Sequence, residues 1–523
     1  MHICGNHRFK VKSMKKLIPV ILLFILVFGI LFTVIKTRME TPSEDPTDIP
    51  SVSLSTEESK SEIRLGYFKE KSLNPYKTTS TLNRNLSTLM YDSLFVIEDD
   101  FSALPLIAES FSYEGNKLTV KISDEIYFSD GSLLTTADVA YSFRMAKDSE
   151  FYSKRLSNFN AAVKGDESVI FTMQHSDIHA ESNLIFPIIK IGSVGDKYPL
   201  GSGRYKIKKS GGKLYLKTNE YSTHGEEMAT DTIRLTPISA DKTELYLLQT
   251  GDLTTYFDDL SSGSFTKINA NMVRVPLNNF IYLGINGSSK FLKDNAVKKA
   301  IELCTDKKTI CDGIYGGYCR KADTVFNPDW YLSKSYEAKE SEFSVIKAGE
   351  VLEEANYIYA YKHNKFRSKN FEFLKLKFIV NEENKQRVDT AKQITRNLRQ
   401  AGFDVSLQKL PFNEYEYAVK NGHYDLYLGE VVLSPGMDLS VFFSENGELS
   451  AGVGANRTTA DAYFDFVSGT VDFSTFNQVM AHEKPIIPIC YRDGMVCFSR
   501  ALSYEGTVNH YDLYKNIYSW EIK

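Results

Sequence analysis

The sequence predicts an α/β protein of two or three domains, and three observations lead there. At 523 residues the chain exceeds what one hydrophobic core normally serves. Leu374, Leu376, Phe378 and Val380 alternate with polar residues, a helical stripe follows at Val388, Ala391, Ile394, Leu398 and Ala401, and Phe403, Val405 and Leu407 alternate again. That pattern is a strand, helix and strand whose crossover is expected to be right-handed. A second such passage lies at 128–143, where a strand ends at Phe128, Asp130-Gly131 turns, and Thr135 takes a helix N-cap position with Asp138 three residues on.

The remaining elements follow in chain order. Leu17 to Ile35 carries no charged residue, and as a helix it would reach about 28 Å, close to the hydrocarbon thickness of a bilayer. Arg8, Lys10, Lys12, Lys15 and Lys16 precede it and acidic residues follow, which places residues 1–16 in the cytoplasm and the bulk of the chain outside. Met14-Lys15-Lys16 also suits the start of a secretory signal, but neither a small-x-small cleavage site nor a lipoprotein-type Cys follows. Segment 17–36 therefore reads as an uncleaved single-span anchor in preference to a signal. Residues 37–62, with Pro42, Pro46 and Pro50 and no aromatic residue, read as a disordered tether.

Ile63-Arg64-Leu65-Gly66-Tyr67-Phe68 opens the globular part as a strand, followed by Leu73-Asn74-Pro75-Tyr76 and a helix carrying Leu82, Leu86, Leu89 and Met90. Leu118, Val120 and Ile122 alternate as a half-buried strand. Gly201-Ser202-Gly203 suits a sharp backbone turn near an interdomain crossing. Phe280 to Asn286 reads as a strand and Asp294 to Thr305 as an amphipathic helix with Cys304 on its apolar face. Cys490 and Cys497 are equidistant from Asp493-Gly494, so a two-residue hairpin there would place them opposite each other. The outside location permits a disulfide, although that pair type has the wider and less favourable spacing. Cys311 and Cys319 have no assignment, and no zinc-type Cys-x-x-Cys pair exists.

Phe128-Ser129-Asp130-Gly131 through Asp138-Val139-Ala140-Tyr141-Ser142-Phe143 closely resembles a motif of the oligopeptide/dipeptide (nickel/peptide) class of extracellular solute-binding proteins of ABC importers. Leu73-Asn74-Pro75, Tyr91-Asp92-Ser93-Leu94, Leu104 to Ser110, Pro199 to Tyr205, Asp294 to Ile301 and Ala348 to Tyr357 match further segments of that family in the same order. The resemblance implies a periplasmic-binding-protein-like clamshell. Lobe I would comprise 63–85, 187–278 and 491–523, a small inserted α/β domain 86–186, and lobe II 279–490. It implies capture of a solute, a peptide in the first instance, by hinge closure outside the membrane and delivery to ABC permease subunits. Nickel complexes, haem and oligosaccharides are the alternative ligands. By position, Thr79, Ser80, Thr81, Tyr282, Glu430, Val432, Ser434, Tyr491 and Arg492 should border the cleft.

Two departures stand out. Counting nine residues from Tyr424-Asp425, where peptide-binding relatives carry an Asp for the peptide amine, lands on Ser434, and Val431 stands where an aromatic is usual. Glu430 and Asp438 are the acids nearest that place. An acid within the apolar strand Leu428 to Leu433 needs a partner, which leaves Glu430 either a ligand contact or an ion pair across the domain interface.

A net charge of -4 argues against nucleic acid. His175 and His179 are spaced i,i+4, but Ser-Asp-Ile between them is not the Glu-x-x of a zinc hydrolase helix, so they read as surface histidines. Without a Gly-x-Ser-x-Gly elbow, Walker loop or kinase motif, the sequence offers no enzyme reading, no resident cofactor and no metal site. A membrane-tethered solute sensor is the other non-enzymatic reading, and a monomer at the cell surface is expected in either case.

Overall fold

The computed structural model describes residues 62–523, apart from 240–242, 264–268, 341 and 360–364. The apolar segment 17–36 and the tether up to residue 61 lie outside the described residues. Among the described residues no helix is long and apolar enough to cross a membrane. Glu62, expected to end the tether, already pairs with Arg64 at 3.1 Å and Arg234 at 3.0 Å.

Three principal sheets organise the molecule. Arg64–Phe68 pairs in parallel with Thr232–Ile238, and Lys213–Thr218 and Tyr205–Ser210 extend that sheet antiparallel. A second four-stranded antiparallel sheet is ordered Ala108–Glu114, Lys117–Ile122, Ser168–Met173, Phe159–Lys164. The helix Thr136–Lys147 packs on it through Val139, Phe143 and Ala146. That helix starts as its sequence suggests: the Asp138 carboxylate accepts the Thr135 backbone N–H at 2.9 Å, and Gly131 turns the chain at φ +81.

The third sheet has seven strands and buries both faces. Lys375–Asn381 and Asp404–Leu410 pair in parallel around the helix Lys385–Gln400, so the strand–helix–strand pattern is realised. Alternation then sorts the side chains. Ile281, Leu283 and Ile285 join an aliphatic core on one face, while Phe280 and Tyr282 join an aromatic core on the other.

Asn271–Ile285 and Ile486–Phe498 are the longest strands, and they correct the hairpin expected at Asp493-Gly494. Ile486–Phe498 runs straight through that dipeptide because partners on both sides take up its backbone. Asp258 and Arg274 both lie opposite Met495. Gly494 is needed for close approach, since a Cβ there would meet the Asp258 carbonyl oxygen at 3.0 Å. Cys490 and Cys497 therefore sit seven residues apart on one strand and cannot pair, and among the described residues every cysteine is free.

The two long strands change register between Pro276 and Phe280, where four steps on one strand oppose two on the other. This bulge frees backbone carbonyls that side chains then satisfy. The Leu277 carbonyl accepts from Arg320 at 2.9 Å and from Asn327 at 3.1 Å. Gly201 and Gly203 also differ from expectation: neither has a positive φ. Their role is packing, because a Cβ would lie 2.2 Å and 2.6 Å from the Met90 carbonyl group.

His179, expected at the surface, is buried against Trp330 and Phe466, and Tyr331 Oη lies 3.0 Å from its Nδ1. His175 is half-buried on Phe464.

The aromatic core sets a steric test. A Cβ on Gly429 would fall 2.5 Å from the Tyr282 ring and 2.9 Å from that of Tyr427, whose hydroxyls meet at 3.0 Å. Gly429→Ala should lower the unfolding free energy by about 1–3 kcal/mol through overpacking, read as a reduced denaturation midpoint with an unchanged slope.

Candidate functional site

A cavity of about 620 Å³ opens where the helix Thr81–Asn85, the short helix Tyr152–Arg155, the bulge at Leu277 and Asn279, the strand end at Val432 and the segment around His510 converge. That volume suits a small solute. The first helix is fixed by Ser80, whose hydroxyl caps it by accepting from Asn83 N at 3.2 Å. That cap aims Arg84 into the cavity.

Two guanidinium groups dominate the lining. Arg84 lies over the Phe151 ring at 3.5 Å and donates to the Thr81 hydroxyl at 2.9 Å. Arg155 stands over Phe151 at 5.4 Å and Tyr511 at 5.8 Å. Burial lowers the pKa of both, yet a guanidinium stays protonated. Neither forms an ion pair among the described residues, although five acids, Asp92, Glu98, Glu226, Asp259 and Asp512, line the same cavity. Glu98 pairs with Lys515 at 2.7 Å, Glu226 with Arg204 at 3.2 Å and Asp92 with His224 at 2.8 Å, while Asp512 accepts from the Thr88 hydroxyl at 2.9 Å. Beside them His510 is held neutral: burial, then the charges of Arg155 and Arg84, lower its pKa to about 4. Its Nδ1 has no partner. The two guanidinium groups, beside an imidazole nitrogen without a partner, can donate hydrogen bonds to an anionic group such as a carboxylate, with acids lining the same cavity.

The residues expected from sequence are not brought together at one place. Thr81 and Val432 line the cavity, Val432 with 61% of its surface exposed. Thr79 is exposed and Ser80 is the helix cap. Tyr282 and Tyr491 are buried in the aromatic core, each stacked on Phe280 at 5.1 Å and 4.9 Å. The Ser434 hydroxyl accepts from Asp438 N at 3.3 Å, and Asp438 accepts from Tyr463 at 2.7 Å. Glu430 accepts from Arg492 at 2.6 Å and Asn279 at 2.9 Å, so it is ion-paired. Sequence reasoning missed Arg84, Arg155 and His510. The one available signal was an arginine three residues after Phe151-Tyr152, a spacing that stacks cations on rings in a helix.

The comparisons with known proteins agree with this architecture. The pattern of the family described as bacterial extracellular solute-binding proteins, family 5 Middle, matches residues 103–447. The oligopeptide-binding protein AppA of Bacillus subtilis is 23% identical over 362 residues, 64% of this chain and 66% of AppA. The glutathione-binding protein GsiB of Escherichia coli is 23% identical over 305 residues, 54% of this chain and 59% of GsiB. The chain thus spans about two thirds or less of the curated relatives it matches. Among solved structures, AppA in complex with a nonapeptide superposes with TM-score 0.57 at 19% identity, covering 88% of this chain and 98% of that one. A nickel ABC transporter structure from Bacillus halodurans gives 0.72 at 19% identity, covering 88% and 100%. The fold is that of the periplasmic-binding-protein-like clamshells, and the chain belongs to the family 5 bacterial extracellular solute-binding proteins.

His510 and His179 both have pKa values lowered to about 4, chiefly by burial. A histidine ordinarily titrates near 6.5, so unfolding takes up protons below that pH. Their stabilising effect is complete above about pH 6.5 and is lost as pH falls towards about 4, which calorimetry at both ends will register as a lower melting temperature in acid. Arg155→Ala removes a neighbouring cation and should move the His510 titration upward in an NMR series.

Proposed function

We infer that this chain is the solute-capturing component of an ABC importer, holding a small carboxylate-bearing solute, a peptide in the first instance, and passing it to permease subunits. The observation that carries this reading is the pair Arg84 and Arg155, charged, stacked on aromatic rings and without acidic partners in a cavity of about 620 Å³. Family membership supports binding in place of catalysis. Relatives named for oligopeptides, glutathione and nickel supply the ligand classes to test; the first two carry a carboxylate, and nickel brings one only through an amino-acid chelator.

In this reading lobe I comprises 63–85, 187–278 and 491–523, lobe II comprises 279–490, and 86–186 is the inserted domain. The globular part works outside the cell as a monomer. The segment 17–36 is its single-span anchor and 37–62 its tether, giving reach to the permease without fixing orientation.

The test is a thermal-shift screen of the full chain with di- to hexapeptides bearing free or amidated C-termini, glutathione, and nickel–histidine complexes. A bound solute at about one hundred times its dissociation constant should add about 2.7 kcal/mol of stability. Arg84→Ala or Arg155→Ala should weaken binding about ten- to a hundredfold, as expected for one lost charged hydrogen bond. Equal shifts for free and amidated ligands, or unaltered binding in both variants, would remove the arginine pair from the argument. No shift with any ligand would overturn the importer reading.

A further inference from the structure

Cys311, Cys319 and Cys490 come from three chain segments, yet their sulfur atoms all lie within 4.8 Å of one another and all three residues are buried. Cys490 lies on the fully buried strand Ile486–Phe498. Cys319 begins the short strand Cys319–Lys321, which pairs with it so that Cys319 faces Arg492 and Lys321 faces Cys490. Both cysteines therefore point to the same face, two positions apart. Cys311 covers that face from the helical turn Ile310–Ile314. The connection is short because Gly316 at φ +61 and Gly317 at φ +78 reverse the chain, and Gly317 N donates to the Cys311 carbonyl at 2.9 Å.

We propose that these three cysteines form a thiolate site for a soft, thiophilic metal ion, with zinc(II) as the representative. Three sulfurs bound at about 2.3 Å in a tetrahedral site stand about 3.8 Å apart, so small side-chain rotations suffice. The cluster also fits a metal better than a cross-strand disulfide. The diagonal offset of Cys319 and Cys490 separates their α-carbons by about 7–8 Å, beyond the span a disulfide bridges without backbone movement.

A second observation points to the same place. The Tyr315 hydroxyl, in the same buried apolar cluster as the three cysteines, has no hydrogen-bond partner among the described residues. A buried donor without an acceptor is costly. On binding, the metal takes the three sulfur lone pairs and the thiol protons pass to solvent. The site lies on the aliphatic side of the large sheet and is separate from the arginine-lined cavity.

The experiment loads the full chain, reduced with a phosphine and freed of metal, with zinc(II) and in parallel with cobalt(II). One equivalent should be retained, with a thiolate-to-cobalt charge-transfer band, and X-ray absorption of the zinc form should show three sulfurs at about 2.3 Å. Cys311→Ser and Cys490→Ser should lose stoichiometric binding, while Cys4→Ser, Cys304→Ser and Cys497→Ser keep it. The absorption spectrum of the unaltered chain decides the matter even where a core variant fails to fold. A fully reduced chain that retains no zinc or cobalt overturns the proposal, whether or not peptide mapping of the oxidised chain finds two of the thiols joined. Retention that persists in folded Cys311→Ser and Cys490→Ser overturns it as well.

Discussion

Arg320 holds the centre of the molecule together. The Asp493 carboxylate is fully buried on the strand Ile486–Phe498 of the large sheet, and Arg320 donates to it at 2.7 Å. The same guanidinium reaches Asp329, the Asn327 side chain at 2.7 Å and the carbonyl of Leu277 at 2.9 Å. It thus serves one oxygen of the buried carboxylate and a carbonyl freed by the register change in one planar group, while Arg274 stands 3.6 Å from the other carboxylate oxygen. Burial raises the Asp493 pKa despite that cation, which shows how expensive the carboxylate would be alone. Removing one partner of such a pair typically costs about 3–5 kcal/mol. The large sheet, the bulge and the floor of the cavity all depend on this contact.

Polar pairing then decides what the cavity can hold. Among the described residues Glu98 and Glu226 pair with Lys515 and Arg204, Asp259 and Asp512 form no ion pair, and Arg84 and Arg155 are the lining cations that form none either. Glu430 illustrates the rule in reverse: an acid on an apolar strand is tolerated because Arg492 and Asn279 reach it. What is left unpaired is therefore a property of the whole arrangement and not of one motif.

Much of the fold could be read from periodicity and capping residues. The helix at 136–147 and the parallel pair around 385–400 follow from Thr135, Asp138 and alternating apolar residues, signals that are local. Asp493-Gly494 misled because a dipeptide's turn preference is also local, whereas its fate was decided by strands far away in sequence pairing on both sides of it. The i,i+4 histidines failed for a similar reason, since burial of His179 depends on Trp330 and Phe466. Arg84, Arg155 and His510 could not be read as one site because, beyond the local spacing of Arg155 from Phe151-Tyr152, no short pattern joins residues that far apart. The cysteine cluster escaped because Cys490 had a nearer apparent partner in Cys497.

The bulge between Pro276 and Phe280 has a further consequence. One strand spends two more residues than its neighbour over the same span, so the ribbon must curl, as a strip does when one edge is longer than the other. Leu277 and Asn279 sit on that curl and also form part of the cavity floor. Curvature and capacity are thereby a single variable. Adding or trimming one residue there would reshape the chamber more than most side-chain exchanges, so segment length is the coarse setting on what this molecule can enclose.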